Sequence, residues 1–239
     1  MLARISTDNW ADVVTESYGW SGGNAFFNSA HAQHVALTAQ GITYMCASGD
    51  DGTNVAQYPY PDFDPEVLMV GGTIVTVDTT TGVRQGEITW SGSGGGWYNN
   101  ATSTTSPITW NVLPSWQKGT GVPTNVNRRL YPDVSFNSAG SNGTSDPGAH
   151  LIYYTSGGQQ GLYGFGGTSA STPLFASSLT SLEGRLYNSS TSTTRQRLGR
   201  LQNLIYSQNG RTDIYNDITT GSIGRLPSTQ ADSSGNSYT

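Results

Sequence analysis

The sequence predicts an α/β fold in which helices flank both faces of a mostly parallel central sheet. A β-prone run, an amphipathic stretch and a near-continuous apolar run follow one another between Asp12 and Ala47. Strand, helix, strand of that length closes as a parallel crossover unit. The first run is Asp12-Val-Val-Thr-Glu-Ser-Tyr18, punctuated at its end by Gly19, Gly22 and Gly23. Asn24 is the expected cap of the helix, in which Phe27, Ala30, His34 and Leu37 recur at helical spacing before Gly41, a residue suited to the position after a helix. Ile42-Thr-Tyr-Met-Cys-Ala47 then reads as a strand covered on both faces.

Val67-Leu-Met-Val70 and Ile74-Val-Thr-Val77 read as two further strands joined through Gly71-Gly72. The Gly/Ser/Thr/Asn/Trp-rich stretch 90–127 has no helical period and is expected to form long surface loops within the same domain. Leu151-Ile-Tyr-Tyr154 is another strand candidate. Phe175, Leu179, Leu182 and Leu186 mark a long helix after Gly166-Gly167, and Leu198, Leu201 and Ile205 a second before Gly210. Residues 219–239 are polar and add no closing element. One domain over 1–239 is expected, with its functional groups at the carboxyl ends of the parallel strands.

Composition narrows the classes. Only 11% of the 239 residues are charged and the formal net charge is −5, against about 25% charged residues in ordinary domains. Ser, Thr, Gly and Asn occupy the surface instead, as in a secreted protein or one from an acidic compartment. No basic block meets phosphates, so nucleic acid is not an expected partner. No run is long enough to span a membrane. The single cysteine, Cys46, excludes an intrachain disulfide and any Cys-based metal cluster; its apolar neighbours place it in the core. Met1-Leu-Ala-Arg-Ile-Ser-Thr-Asp8 lacks the apolar core of a signal peptide, so either a leader is already removed or the chain begins inside a longer protein. Asn100, Asn142 and Asn188 stand in glycosylation sequons.

The candidate chemistry centres on Gly166-Gly167-Thr-Ser169-Ala-Ser-Thr-Pro173. A glycine turn there delivers Ser169 to the start of a helix, where free N–H groups stabilise negative charge; a plain helix cap is the competing reading. A serine nucleophile needs a base. His31 and His34 lie on the first helix and read as packing residues, and His150 follows Pro147-Gly148-Ala149 in an apparent loop. An imidazole partner is therefore not indicated. Ser48-Gly49-Asp50-Asp51-Gly52 follows the buried strand, so Asp50 is placed at a strand's carboxyl end, pointing toward the crevice. Ser169 with Asp50 fits a serine nucleophile served by carboxyl groups.

Ser17-Tyr18-Gly19, Ser48-Gly49-Asp50, Val70-Gly71-Gly72-Thr73, Ser93-Gly94-Gly95-Gly96, Pro114-Ser115-Trp116-Gln117, Pro132-Asp133-Val134, Gly166-Gly167-Thr168-Ser169 and Asp217-Ile218-Thr219 occur in this order, and nearly the whole chain thereby resembles the sedolisins, the serine-carboxyl peptidases. The resemblance implies a subtilisin-like three-layer sandwich and a peptidase acting at acidic pH, as an endopeptidase or a tripeptidyl-peptidase. It implies that Ser169 is the nucleophile and Asp50 the oxyanion-hole acid, with Ser17, Tyr18, Gly19, Ser93, Gly94 and Gly95 binding polypeptide substrate. It implies further a pro-segment, a monomeric secreted or lysosome-like enzyme, and a Ca2+ site beginning with Asp217 and the carbonyl of Ile218. Sedolisins carry their catalytic Glu and Asp one turn apart on a helix well before the Ser-Tyr-Gly motif. Asp8, Asp12 and Glu16 are too close to that motif to match, and the second half of the calcium loop has no counterpart here. An internal piece, incomplete at both ends and inactive alone, is therefore expected. A subtilisin-like peptidase would need a His-Gly-Thr context and an oxyanion Asn. A carbohydrate-binding module resting on the 6 Trp and 13 Tyr is the alternative from another class.

Overall fold

Parallel pairing of β1 (Val13–Glu16) with β2 (Thr43–Ala47) sets the frame, with Val13 beside Thr43 and Glu16 beside Cys46. The computed structural model describes residues 1–53, 59–98, 105–119, 122, 126–139, 148–189 and 197–224. β2 continues in parallel onto β3 (Leu68–Val77), which pairs in parallel with β7 (Val134–Asn137) and antiparallel with β4 (Arg84–Thr89). Between β1 and β2 runs α2 (Asn24–Ala39), preceded by a short α1 (Leu2–Asp8); β5 (Gly96–Trp97) and β6 (Leu130–Tyr131) form a separate antiparallel pair. A hairpin of β8 (His150–Ser156) and β9 (Gln159–Phe165) leads into α3 (Thr168–Ser189), and α4 (Gln202–Ser207) follows.

The period of two along β2 and β3 builds two cores, one on each face of the sheet. Tyr44, Cys46 and Met69 point to the α2 side, where Leu37, Ile42 and Val67 join them. Met45, Leu68 and Val70 point to the other side and meet Ala176, Leu179 and Leu201. The arrangement is a three-layer α/β/α sandwich. Each buried large apolar side chain here contributes roughly 1.5–3 kcal/mol relative to exposure. α2 ends as its sequence suggests: Gly41 adopts φ +79°, and the Gly41 and Ile42 N–H groups bond the carbonyls of Thr38 and Leu37 at 2.9 and 3.0 Å, which satisfies the last carbonyls of the helix.

Several expectations need correcting. Gly23, not Asn24, holds the cap position of α2; Asn24 is its first residue and is buried. Gly71-Gly72 is no turn but the middle of the single strand β3. A Cβ on Gly71 would stand 2.8 Å from Ser135 Oγ, and one on Gly72 would collide with Ser138; the pair is there for close packing. His150 opens β8 and does not sit in a loop. α1, β4, β7 and β9 carry too little periodicity to be read from the sequence. Within 90–127 the described chain is irregular apart from β5, and Trp97, Ile108, Asn111 and Gln117 are buried. Asn100 and Asn142, the side chain of Asn188 and the tail beyond 224 fall outside the described residues.

Candidate active site

The loops that follow β1, β2 and β4 meet the first turn of α3. They enclose a cleft of about 200 Å³, lined by Ser17, Tyr18, Gly19, Asp50, Gly94 and Ser169 among others. Ser169 is exposed in the first turn of α3, beside the fully buried Thr168. Pro173 lies inside the helix and has no N–H to give the carbonyl of Ser169. Ser17 Oγ reaches that carbonyl from the β1 side, at 3.4 Å. Further in, Ser171 Oγ donates to the Gly71 carbonyl at 2.9 Å and so anchors the helix to β3.

Asp50 is held against the same helix end. Its Oδ1 accepts the Thr168 N–H at 2.8 Å and the Thr168 hydroxyl at 2.7 Å. Negative charge at a helix N-terminus is favoured by the free N–H groups and the helix dipole. Both bonds fall on Oδ1, which leaves Oδ2 without a bond from Thr168. Gly167 has φ +84°, and a Cβ there would stand 2.5 Å from Asp50 Oδ2, so this turn is open only to glycine. Gly94 is equally constrained: its N–H bonds the Gly49 carbonyl at 2.8 Å and a Cβ would run into the carbonyl of Ser48.

Of the other expected site residues, the structure brings some to the cleft and not others. Ser93 is buried, its Oγ accepts the Gly72 N–H at 2.9 Å, and it lines a separate cavity of about 270 Å³ together with Ile218. Gly95 is tied to the Gly52 carbonyl at 3.4 Å and is not among the cleft-lining residues. Asp217 is exposed. Among the described residues no group of three or more His, Cys, Asp or Glu gathers around a metal position. Asp217 and one carbonyl fall far short of the ~6–8 oxygens that Ca2+ takes, and this donor set does not fit the ion.

Asp62 was not evident from sequence. It is buried, it lines the cleft, and burial pushes its carboxyl well above the usual range despite the opposing charge of Arg129 and the influence of the Tyr131 hydroxyl. The available signal was two acids set among aromatic and proline residues in Tyr60-Pro-Asp-Phe-Asp-Pro65. The second acid, Asp64, joins the imidazoles into one buried network. His31 and His34 Nδ1 each lie 2.9 Å from its carboxylate, and the Tyr60 hydroxyl donates to it at 2.7 Å. Burial opposes the charge, but the two histidine bonds outweigh it and hold Asp64 well below the usual range. His150 Nε2 lies 3.0 Å from the Asn137 carbonyl. All three imidazoles thus have structural partners away from the cleft. Glu16 is likewise engaged, accepting from Trp20 Nε1 at 3.0 Å and from the Tyr44 hydroxyl at 2.7 Å.

The model of the subtilase family matches residues 2–218. Sedolisin of Pseudomonas sp. (strain 101) is 30% identical over 195 residues, which cover 71% of this chain and 29% of that protein. Kumamolisin of Bacillus sp. (strain MN-32) is 28% identical over 209 residues, 82% of this chain and 32% of that one. The chain therefore spans about a third of the length of these relatives. The solved structure of Pseudomonas sedolisin, a serine-carboxyl proteinase complexed with two molecules of pseudo-iodotyrostatin, superposes with a TM-score of 0.69 at 27% identity, covering 93% of this chain and 59% of that one. With its subtilisin-like sandwich, its ordered motifs and these relatives, the chain belongs to the subtilase family of serine peptidases, on its sedolisin branch.

Proposed function

We propose that this chain carries the nucleophile and oxyanion side of an acid-acting serine-carboxyl peptidase site. The observation that carries the reading is the placement of Ser169 and Asp50 in one cleft at the start of α3, with Asp50 bonded to Thr168 immediately before Ser169. Ser169 Oγ attacks the scissile carbonyl carbon of a polypeptide. A carboxylate base takes the hydroxyl proton, and protonated Asp50 donates a hydrogen bond to the developing oxyanion. A carboxylate base is most effective near its own pKa, and Asp50 must hold a proton to donate, so both requirements favour acidic pH.

Of the described carboxyls near this reading, Glu16 binds Trp20 and Tyr44 and Asp62 is buried in the cleft wall, while Asp51 lines the cleft exposed beside Asp50. The base is assigned to the family's Glu–Asp pair on polypeptide outside these residues, and the 239-residue chain alone is expected to hydrolyse nothing. The complete enzyme is assigned a pro-segment, a secreted or acidic-compartment location and a calcium site completed beyond Asp217 and Ile218. The low charged fraction agrees with that habitat, and no described helix is long and apolar enough to cross a membrane.

The test assays the purified chain on a denatured protein between about pH 3 and 8 and repeats the assay on a longer version that includes the upstream pair. Acid activity in the longer protein should fall by roughly 10⁴–10⁶ in Ser169→Ala and by roughly 10²–10³ in kcat in Asp50→Ala. A Ser169→Ala variant keeping more than a tenth of the rate would overturn the assignment.

A further inference from the structure

Asp62 is a cleft acid whose charge the fold does not offset. It lines the cleft and is 7% exposed. The cation that bears on it, Arg129, favours its charged form, but that guanidinium is itself buried against Asp133 at 2.5 Å and donates to the Val67 carbonyl at 3.2 Å. Among the described residues Asp62 enters no ion pair. The other titratable groups against it are the Tyr131 hydroxyl and the Cys46 thiol, and burial keeps both protonated. An unpaired carboxylate in such surroundings costs folding stability, and groups of this kind gather where a ligand completes them. The acid is also held in place. Tyr60, two residues earlier, exchanges both main-chain hydrogen bonds with Trp20 at 2.7 and 3.3 Å, and the Asp62 N–H bonds the Pro59 carbonyl at 3.2 Å. Trp20 continues the Ser17-Tyr18-Gly19 wall, so that wall and the segment carrying Asp62 are tied together.

We propose that Asp62 is the specificity residue of the cleft, its carboxylate taking the head group of an Arg or Lys side chain on the residue whose carbonyl meets Ser169. The proposal rests on the peptidase reading above and names the substrate class of that cleft. Two observations select a basic side chain. The charged residues lining the cleft, Asp50, Asp51 and Asp62, are all acidic, so it attracts cations and rejects acidic side chains. Asp50 is bonded to Thr168 and Asp51 lies exposed, which leaves Asp62 as the acid that a side chain meets after leaving water, where a charge pair is strongest. At about 200 Å³ the cleft is smaller than the ~300–1,000 Å³ of pockets that enclose a drug-sized ligand, so it takes the side chain beside the scissile bond and not a longer stretch of substrate. Burial makes Asp62 hold its proton more tightly than an ordinary carboxyl, and an arriving cation displaces that proton. Affinity for the basic side chain therefore rises with pH, by at most about tenfold per pH unit for one proton, and levels off above the pKa of the empty cleft.

The experiment titrates two acetylated tetrapeptide aldehydes, Ala-Ala-Ala-argininal and its citrulline isostere, into the 239-residue chain between about pH 4 and 7. With either probe Ser169 Oγ adds to the aldehyde carbon and the hydroxyl proton passes to the former carbonyl oxygen, so the two differ only in the charge of the side chain. The parent should bind the arginine probe roughly tenfold or more tighter than the citrulline probe at about pH 7, with the ratio falling toward about pH 4. Asp62→Asn should bring the ratio near one across that range, whereas Asp51→Asn should keep the preference and its pH dependence. Circular dichroism verifies the fold, and Asp62→Ser replaces Asp62→Asn if the latter does not fold. A ratio near one in the parent, binding of neither probe, or a preference that survives Asp62→Asn overturns the proposal. If Ser169→Ala binds both aldehydes as tightly as the parent and still prefers arginine, the nucleophile assignment fails and the role of Asp62 stands.

Discussion

Ser17 Oγ donates to the carbonyl of Ser169 at 3.4 Å, across a sequence separation of 152 residues. That carbonyl is the one Pro173 cannot serve, so the Ser-Tyr-Gly segment after β1 completes the first turn of the helix that presents Ser169. One wall of the cleft and the backbone of Ser169 are thereby mechanically joined.

Ser17→Ala should therefore lower stability by about 0.5–1 kcal/mol, the lower range for a net hydrogen bond because the pair is solvent-accessible. Urea unfolding of parent and variant measures it. An unchanged midpoint would mean that water serves the Ser169 carbonyl equally well.

Gly94→Ala should be far more damaging. The added methyl would occupy the position of the Ser48 carbonyl, and the Gly94 N–H bond to Gly49 fixes the backbone there. A loss above ~4 kcal/mol is expected, in the range kept for changes the structure cannot absorb. Gly23→Ala is the control, because nothing lies within 4 Å of its added Cβ. Equal melting temperatures for the two variants would contradict the close approach.

The layered core was legible because its signals are local and periodic. Thr43 to Ala47 alternate between two helical layers, and Leu37 with Gly41 marks the end of α2 by apolar spacing and a left-handed residue. Ser169 and Asp50 were legible as motif residues, and the structure does bring them together. Gly71-Gly72 misled because a glycine needed for close packing has the same letter as one needed for a turn. β4, with Arg84, Gln85 and Glu87 in an exposed edge strand, has no apolar alternation to read. Asp62 and Asp64 escaped because their significance depends on Arg129, Tyr131, His31 and His34, which are distant in sequence and come together only on folding.

Calcium should leave this chain's melting temperature unchanged, with or without chelator. Asp217 is exposed and the described residues hold no cluster of acidic or imidazole groups around it. A ligand stabilises only by binding the folded state more tightly, and two donors give too little affinity. A rise of several degrees with millimolar Ca2+ would show that the polar tail supplies the missing oxygens.

Asp62 and Asp64 lie two positions apart and respond to pH in opposite senses. Burial raises the folded-state pKa of Asp62 above its unfolded value, so the native state holds a proton that the unfolded chain releases above about pH 4. Its cost is absent below that pH and grows as pH rises toward the folded value. Asp62→Asn keeps the shape without the charge, so it should raise the melting temperature at pH 7, and the gain should vanish toward pH 3–4. Asp64 is the reverse case. Despite burial, the His31 and His34 bonds depress its pKa; its contribution is fully present above about pH 4 and is lost as pH falls through the folded value. Asp64→Asn should lower stability at pH 7 by about 1–3 kcal/mol, because an amide cannot replace every hydrogen bond the buried carboxylate makes with His31, His34 and Tyr60. Melting curves of both variants and the parent at pH 3, 5 and 7 decide the matter: a loss for Asp62→Asn at pH 7, or a gain for Asp64→Asn there, would reverse the signs assigned to the two carboxyls.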